Sequence, residues 1–377
     1  MRIQKVLSNG AEPRKSVLPD WSGSATGRES SLHQLSPYIG KMKSSMAGVL
    51  IDGFTREGEL IYDPFCGSGT VLLEGWLKGR NVIGVDRNPY AVTLSRGKLF
   101  PLSTLEEAYP ALDEAEQKVE RTKTTIDLRS VPVWVRSFFH PETLREVIAW
   151  KKALSKNDFL LSCLLGILHH QRPGFLSFPS SHTVPYLRRK KFPPSRFPEF
   201  YNYRHVKDRL QKKVERALKR VPKLDFEIER RCEMRDARKY LPGERVNAII
   251  TSPPYMRQLD YARDNRLRLW LVGHSDWKEL DNLISPRERQ FVSLMKDSLA
   301  LWTEIIAPRG YCILVLGDSY SHTYRMTLPD LVLKIVEREV SGYKLVHRQT
   351  DEIPADRRVR RAYSGNKTET IIVLRKK

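Results

Sequence analysis

Long apolar runs and cysteine clusters are both missing from this sequence of 377 residues. No apolar run approaches the roughly 20 residues that a membrane span needs, and the N-terminus lacks the charged-then-apolar pattern of a secretory signal. Four scattered cysteines show no CxxC spacing, which argues against a zinc site or a disulfide framework. We therefore expect a cytoplasmic protein that does not enter a membrane.

Clustered metal ligands are also scarce. His169, His170 and His182 stand close together in the sequence, but no further ligand follows at a spacing that would complete a coordination shell. We predict no metal site.

Acidic residues are too few to balance the basic ones. The chain has 65 Lys and Arg against 44 Asp and Glu, a formal net charge of +21. Residues 187–220 alone hold thirteen Lys or Arg against three Asp or Glu. A concentrated positive field attracts polyanions and accelerates encounters with them, so the charge favours a nucleic-acid partner.

One short region has the pattern of a βαβ unit. An apolar run at 59–62 predicts a strand, and the glycine-rich turn 63–70 follows it. A helix is expected over 70–78, then a second strand over 81–85 with Asp86 at its carboxyl end. Strand, glycine loop, helix, strand and acid in this order are typical of the first unit of a doubly wound sheet.

Later apolar runs supply the remaining strands of that sheet. The Pro308-Arg309-Gly310 turn introduces one of them, and a helix over 329–340 separates two others. The five further strands are expected at 227–232, 246–250, 310–316, 343–348 and 369–374.

The middle of the chain has a different, mostly helical pattern with proline-rich breaks. Helices are expected over 105–121, 141–153, 159–169 and 204–220, with a loop at 173–198. This stretch is too long for a crossover connection. We therefore predict an N-terminal extension at 1–30, a catalytic domain formed by 31–98 and 224–377, and an inserted, basic, mainly helical subdomain at 99–223.

The glycine loop does not fit a phosphate site. Leu72 stands where a dinucleotide fold would place its third glycine, and no lysine follows Gly69 as a phosphate-binding P-loop requires. The turn before a helix N-terminus still favours a negative group, such as the carboxylate of an amino-acid moiety. Asp63 could meet a cationic amino group, and Asp86 could accept from ribose hydroxyls.

The run Thr251-Ser252-Pro253-Pro254-Tyr255 follows an apolar strand. An exocyclic amino group on a base is a poor nucleophile, and a catalyst must accept hydrogen bonds from its N–H groups. Ser252 offers a hydroxyl oxygen, and Pro253, held extended by Pro254, offers its carbonyl. Tyr255 could stack on the base. Two prolines cannot continue a central strand, so the segment must leave the sheet at its carboxyl edge, where ligands bind.

These residues resemble S-adenosylmethionine-dependent DNA amino-methyltransferases of the cytosine-N4 type. Ser252 to Tyr255 is similar to the catalytic tetrapeptide, with serine typical of cytosine-N4 enzymes and Asp or Asn typical of adenine-N6 enzymes. The resemblance covers roughly 33–98 and 225–377 and includes His33 and Pro37 near the start and Asp260, Tyr261 and 366–370 later. It implies cofactor contacts by Tyr38, Lys41, Asp63, Pro64, Phe65, Gly67, Gly69, Thr70, Asp86, Arg87, Asp236, Ala237 and Thr251.

One departure from the family is the order of the motifs. Cytosine-N4 enzymes usually carry the catalytic loop first, whereas here the cofactor loop comes first and a long insert separates the two. The resemblance implies a class I methyltransferase-like, doubly wound sheet of seven strands with a reversed last strand.

The function implied is methyl transfer from S-adenosylmethionine to N4 of a cytosine flipped out of double-stranded DNA. Adenine-N6 methylation, guanine-N2 methylation of RNA and non-catalytic nucleic-acid binding remain alternatives. A cognate restriction endonuclease, association with the nucleoid, and either a monomer or a dimer would be compatible with this function.

The insert is expected to hold the DNA. Its last helix would turn Val206, Leu210, Val214 and Leu218 inward and leave the basic side chains, including Lys219 and Arg220, to solvent. The phosphate contacts predicted from this segment are Arg188, Arg189, Lys190, Lys191, Arg209, Lys212, Lys213 and Arg216.

Overall fold

A seven-stranded sheet forms the centre of the computed structural model, which describes residues 29–170, 175–181, 185–256, 261–352 and 368–377. The strands are β1 Leu60–Asp63, β2 Asn81–Asp86, β3 Arg230–Met234, β4 Val246–Thr251, β5 Ile306–Gly317, β6 Tyr320–Ser321, β7 Met326–Thr327, β8 Tyr343–Glu352 and β9 Thr368–Lys376. Strands β6 and β7 form a separate two-stranded hairpin.

The strand order in the main sheet is β3-β2-β1-β4-β5-β9-β8. Strands β3, β2, β1, β4 and β5 are parallel, and β9 runs antiparallel to both of its neighbours. This order, with a reversed last strand beside the fifth, defines the class I methyltransferase fold. The predicted fold class is confirmed.

Each central strand contributes to two hydrophobic cores because successive side chains point to opposite faces of the sheet. On β1, Ile61 joins one core, whereas Leu60 and Tyr62 join the other. On β9, Ile371 and Ile372 divide between the two cores in the same way. Strands buried on both faces need layers of helices on both sides.

Thirteen α-helices are found in the described ranges. They are α1 Ser44–Phe54, α2 Thr70–Leu77, α3 Pro89–Leu99, α4 Leu105–Thr122, α5 Val133–Arg136, α6 Pro141–Ala153, α7 Asp158–Ile167, α8 Val206–Leu218, α9 Tyr261–Asp264, α10 Arg266–Leu271, α11 Trp277–Ile284, α12 Glu288–Ile305 and α13 Leu328–Arg338. None of the helices in the part of the chain that the structure describes has the length and apolarity to cross a membrane.

Helices of the middle stretch share one core with the face of the sheet that α1, α2 and α3 cover. Helix α7 lies directly against α3: Ser162 Oγ donates to Thr93 O at 3.2 Å, and a Cβ at Gly97 would come within 2.5 Å of Ser162 Oγ. The described part of the insert therefore shares its core with the catalytic domain.

Several element boundaries differ from those expected. Strand β3 begins at Arg230 instead of residue 227. Strand β5 begins at Ile306 and takes in the proline-glycine turn as an irregularity, with Arg309 at a φ of 64°. Helix α1 begins at Ser44, after Gly40, whose φ of 75° is not helical.

Helices α3 and α9 to α12 were not predicted from the sequence. A clear signal existed for α12, since its buried residues Phe291, Met295, Leu299 and Trp302 recur at helical spacing. In α8 the inward positions are Val206, Leu210, Val214 and Ala217. Leu218 was expected among them but is only half-buried.

Candidate active site

A cleft of about 870 Å³ opens at the carboxyl ends of β1 to β4. It is lined by most of the side chains predicted to bind the cofactor, together with part of the predicted catalytic tetrapeptide. The predicted residues in the lining are Tyr38, Lys41, Asp63, Pro64, Phe65, Gly67, Thr70, Asp86, Arg87, Asp236, Ala237, Ser252 and Pro254. Gly69, Thr251, Pro253 and Tyr255 lie behind this lining.

The glycine loop owes its shape to helix α3. Gly69 has a φ of 69°, and a Cβ there would come within 2.6 Å of Ser95 Oγ, so only glycine fits. Ser95 Oγ donates to Gly67 O at 3.0 Å, and Lys98 Nζ donates to Ser68 O. Two side chains of α3 thus fix two successive carbonyls of the loop.

Asp63 is a buried carboxyl at the end of β1. Its Oδ1 accepts from Thr251 Oγ1 at 2.6 Å and from Phe65 N at 3.2 Å. Burial outweighs these bonds and raises the pKa of Asp63 to about 7. Because both bonds end on Oδ1, Oδ2 remains to accept from a ligand. A cationic ligand there would stabilise the ionised carboxylate and lower its pKa.

Thr251 was predicted to contact the cofactor, but the structure gives it a different position. Its side chain is fully buried and donates to Asp63. It therefore orients the acid and does not line the cleft.

Asp86 joins the end of β2 to the glycine loop. Its Oδ2 accepts from Gly67 N at 2.9 Å, and its Oδ1 accepts from Asn88 N at 2.8 Å. Burial raises the pKa of this carboxyl, against the lowering effect of the backbone hydrogen bonds. Each oxygen keeps a lone pair, so the same carboxylate can also accept from ligand hydroxyls in the cleft.

Asp236 is already paired with two arginines. Arg238 donates to both of its oxygens, at 3.0 and 2.6 Å, and Arg87 Nη1 lies 3.6 Å from Oδ2. The hydrogen bonds from Arg238 lower the pKa of Asp236. The neighbouring Ala237 lines the cleft with a small apolar surface, which suits the face of a flat ring.

Several apolar side chains that line the cleft were not predicted as site residues. They are Leu283 and Ile284 of α11, Leu294 of α12 and Met42. Together with Phe65 they add apolar surface to the lining of the cleft. The sequence signal for α11 and α12 was their helical periodicity, but nothing in that pattern located them beside the glycine loop.

The predicted N-terminal motif covers the glycine loop. The ring of Tyr38 lies where a Cβ at Gly67 would meet it, at 3.4 Å. Lys41 Nζ donates to His33 O at 3.3 Å, and desolvation lowers the pKa of Lys41. His33 Nε2 in turn lies 2.7 Å from Glu74 Oε1 of α2, which links the motif to the helix after the loop.

The serine of the tetrapeptide belongs to a chain of hydroxyl groups. Ser252 Oγ lies 3.1 Å from both Tyr255 Oη and Val315 O. Tyr255 Oη donates to Glu369 Oε1 at 3.3 Å. Tyr255, predicted to stack on a base, is only 7% exposed, and Pro253 is buried. Glu369 was not predicted as a site residue.

Two of the basic residues expected to face solvent on α8 are packed against the protein. Lys213 Nζ donates to Gln34 O at 2.5 Å, and Arg209 Nη1 donates to His205 O at 3.2 Å. Both side chains are half-buried, because α8 lies against the N-terminal motif and α7. Lys212 and Arg216 are exposed as predicted.

The basic run before α8 is supported by aromatic rings. Two basic side chains lie over the ring of Phe192. Arg188 Cζ is 6.0 Å and Lys191 Nζ is 5.5 Å from the ring centroid. Phe197 and Phe200 pack around the same ring. Arg189, Lys190 and Lys191 are exposed, so this segment presents positive charge on a fixed support.

The histidines considered for a metal site have different surroundings. His169 is buried, and His170 stacks on Phe175 with centroids 4.7 Å apart; His182 lies outside the described residues. Across the ranges that the structure describes, no group of three or more potential metal ligands is present.

Comparisons with known proteins found similarity to DNA methyltransferases. The N6/N4 methyltransferase family model, described as DNA methylase, matches residues 10–96. The type II methyltransferase M.MvaI of Kocuria varians is 25% identical over 221 residues, which cover 52% of this chain and 46% of that protein. M.MjaII of Methanocaldococcus jannaschii, also a type II methyltransferase, is 33% identical over 72 residues, 19% of this chain and 14% of the relative.

Solved structures of low identity are also similar. TrmN from Thermus thermophilus matches with a TM-score of 0.37 and 14% identity over 92% of this chain and 52% of its own. The rRNA methyltransferase aviRa from Streptomyces viridochromogenes matches with a TM-score of 0.33 and 12% identity, covering 92% and 91%.

The sheet order is that of the class I methyltransferase fold, and the cleft lies at the carboxyl edge of that sheet. The family model and the two sequence relatives support a DNA methyltransferase family. The chain matches less than half the length of either relative.

Proposed function

We propose that this chain is an S-adenosylmethionine-dependent DNA methyltransferase that acts on the N4 amino group of cytosine. The observation that carries the proposal is the shared cleft. Ser252, which follows β4, lines the same cavity as Asp63 and Asp86, which end β1 and β2. A cofactor held by the two acids and a base held by the serine would meet in one space.

The cleft has the features that S-adenosylmethionine requires. Asp63 would accept from the cofactor's ammonium group, and Asp86 from its ribose hydroxyls. Lys41 stands at the mouth of the glycine loop to attract the carboxylate. The adenine ring would lie against Ala237 and apolar lining residues such as Leu283. The tight packing of Gly69 against Ser95 of α3 supports a loop that is held in one shape beside the cleft.

The residues around Ser252 would activate an amino group. Accepting hydrogen bonds from the N–H groups, by Ser252 Oγ and the Pro253 carbonyl, draws the nitrogen toward the tetrahedral geometry of attack. When bound, S-adenosylmethionine would supply a sulfonium methyl group. The amino nitrogen would take the methyl group with its lone pair, the S–C electron pair would stay on sulfur, and one N–H proton would pass to water. Burial of Tyr255 and Pro253 keeps the acceptors in place.

Serine at position 252 supports cytosine as the target. Adenine-N6 methylation is the second candidate, since the family model matched by residues 10–96 covers both the N6 and the N4 type. Guanine-N2 methylation of RNA and binding without catalysis are less favoured, and they are outcomes of the test below.

Double-stranded DNA is the substrate we propose, held by the insert at 99–223. Exposed Arg189, Lys190 and Lys191, with Lys212 and Arg216 of α8, would contact phosphates and position the duplex. A target cytosine must leave the base stack to reach Ser252 in the cleft, so base flipping is part of the proposal. Association with the nucleoid and a paired restriction endonuclease remain predictions.

The test is product analysis with methyl-labelled S-adenosylmethionine. Purified protein is incubated with duplex DNA or with RNA, and the digested nucleosides are separated and identified by mass spectrometry. We expect labelled N4-methylcytosine from DNA, formed about 10²- to 10³-fold more slowly by a Ser252→Ala variant. N6-methyladenine would overturn the target base, methylguanosine in RNA would overturn the substrate, and cofactor binding without any transfer would overturn catalysis.

A further inference from the structure

Glu369 is a partly buried acid that does not itself take part in the proposed methyl transfer. It lies near the start of β9, and its register partner on β5 is Gly317, the last residue of that strand. Because β9 runs opposite to β5, its first residues reach the edge of the sheet where the parallel strands end. The reversed strand thus brings an acid from the end of the described chain to the serine that follows β4.

Hydrogen bonds connect this acid to the serine through a tyrosine. Tyr255 Oη lies 3.3 Å from Glu369 Oε1 and 3.1 Å from Ser252 Oγ. The carbonyl of Val315 lies 3.1 Å from the same serine oxygen.

The donors and acceptors in this chain fix its direction. An ionised carboxylate only accepts, so Tyr255 must give its single hydrogen to Glu369. The tyrosine oxygen can then only accept from Ser252. The Val315 carbonyl can likewise only accept. Ser252 must therefore turn its hydrogen away from the cleft, toward one of these two oxygens. Its lone pairs are left for an amino group in the cleft.

We propose that Glu369 is a positioning residue that, through Tyr255, keeps Ser252 in the orientation of a hydrogen-bond acceptor for the amino group of the base. The inference rests on the proposed function and adds to it the residue that sets the direction of the hydrogen-bond chain. Without an acceptor at 369, the Tyr255 hydroxyl would turn to Ser252 and occupy a lone pair that the base needs.

The surroundings of Glu369 make its ionisation sensitive to pH. Burial raises its pKa above the usual range; nearby Asp351 and Asp318 act in the same direction, whereas Lys43 and the hydrogen bond from Tyr255 act against it. Protonation of Glu369 would add a hydrogen that the carboxyl can donate to Tyr255 Oη, and the tyrosine hydrogen would then be free to turn to Ser252. The turnover number kcat at saturating cofactor should therefore fall on the acidic side of this pKa.

The deciding experiment is a double-mutant cycle on kcat. Glu369→Leu should lower kcat by about 10- to 100-fold, the range typical for partners that orient a reactive group, with the KM for DNA and the Kd for the cofactor within about 2-fold. Tyr255→Phe removes the hydroxyl but keeps the ring, and its own kcat sets a second baseline. In that background Glu369→Leu should have less than about 3-fold further effect, because no hydroxyl remains to turn.

Two further variants separate positioning from structural damage. Thr370→Val changes the next residue of β9, whose hydroxyl bonds Thr350 at 3.0 Å, and should leave kcat nearly unchanged. Glu369→Gln keeps an acceptor oxygen without the ionisation and should lose the acidic limb of the pH profile; it decides the question if Glu369→Leu does not fold.

Equal reductions of kcat by Glu369→Leu in both backgrounds, or an unchanged acidic limb in Glu369→Gln, would overturn the positioning role while leaving the methyltransferase intact. A parent protein that transfers no methyl group would instead overturn the proposed function and this inference with it.

Discussion

The cofactor loop and the catalytic tetrapeptide leave adjacent strands at the same edge of the sheet, yet they are held differently. Backbone groups of the cofactor loop are bound at Gly67 N by Asp86 and at two carbonyls by Ser95 and Lys98. The tetrapeptide is connected by a side-chain hydroxyl chain from Ser252 to Glu369. Changes at the first loop should therefore affect cofactor binding, and changes at the second should affect turnover.

The largest expected effect is at Ser252. Replacing it with alanine removes an acceptor from the reacting nitrogen, and kcat should fall by about 10²- to 10³-fold, as for comparable preorganised groups. The Kd for S-adenosylmethionine, measured by calorimetry, should stay within about 2-fold because the cofactor loop keeps all of its backbone bonds. A large drop in cofactor affinity would break the separation between the two loops.

Asp86 should show the opposite behaviour. Asp86→Ala removes the acceptor for ribose hydroxyls and also frees Gly67 N and Asn88 N. Cofactor binding should weaken by about 1.5–3 kcal/mol, the usual value for hydrogen bonds to a charged group. Asp52→Ala serves as the control, since that acid pairs with Lys78 on the surface. An unchanged Kd, or tight binding of a nicotinamide dinucleotide instead, would contradict the assignment.

Asp63 should make cofactor binding depend on pH. Its pKa is raised to about 7 by burial, and an ammonium group would bring it down, so binding should release a proton below about pH 7. Affinity should drop as the pH falls from 7, by up to about 100-fold at two pH units below, since each unit is worth about 1.4 kcal/mol.

Calorimetry in buffers of different ionisation enthalpy measures that proton directly. In the unliganded protein the same raised pKa acts on stability, which should fall as pH rises from 3.8 to about 7, because the folded state binds the proton more tightly. Asp63→Asn should bind cofactor more weakly and lose the pH dependence. A variant that retains the dependence would show that another group titrates.

The smallest effect concerns DNA affinity. Lys212 and Arg216 are exposed on α8, whereas Lys213 is bonded to Gln34. The double variant Lys212→Gln, Arg216→Gln should reduce the salt slope of log affinity by about 0.9 for each phosphate that it no longer neutralises, with cofactor binding unchanged. Lys213→Gln should lower the stability of the protein and leave the salt slope of log affinity nearly unchanged. Equal slopes for the parent and the double variant would locate the DNA site elsewhere.

Local patterns predicted the elements that carry the acids. The strands ending at Asp63 and Asp86, and the strand before Ser252, are short apolar runs interrupted by glycine or proline. Such runs locate a carboxyl end from sequence alone. The parallel sheet then brings these ends together, so the shared cleft could also be predicted.

Long-range register could not be read in the same way. Glu369 reaches Tyr255 only because the reversed β9 pairs with β5 in one particular register. The expectation that Lys213 faces solvent was wrong because it depended on helical periodicity and ignored what packs beside α8.

The central claim is tested most directly by mapping modified bases in DNA from cells that express the chain, alongside cells that express Ser252→Ala. We predict N4-methylcytosine at a recurring sequence with the parent, and a much lower level of it with the variant at a matched protein level. DNA without any new methylated base in the parent cells, while the purified protein binds S-adenosylmethionine, would contradict the account.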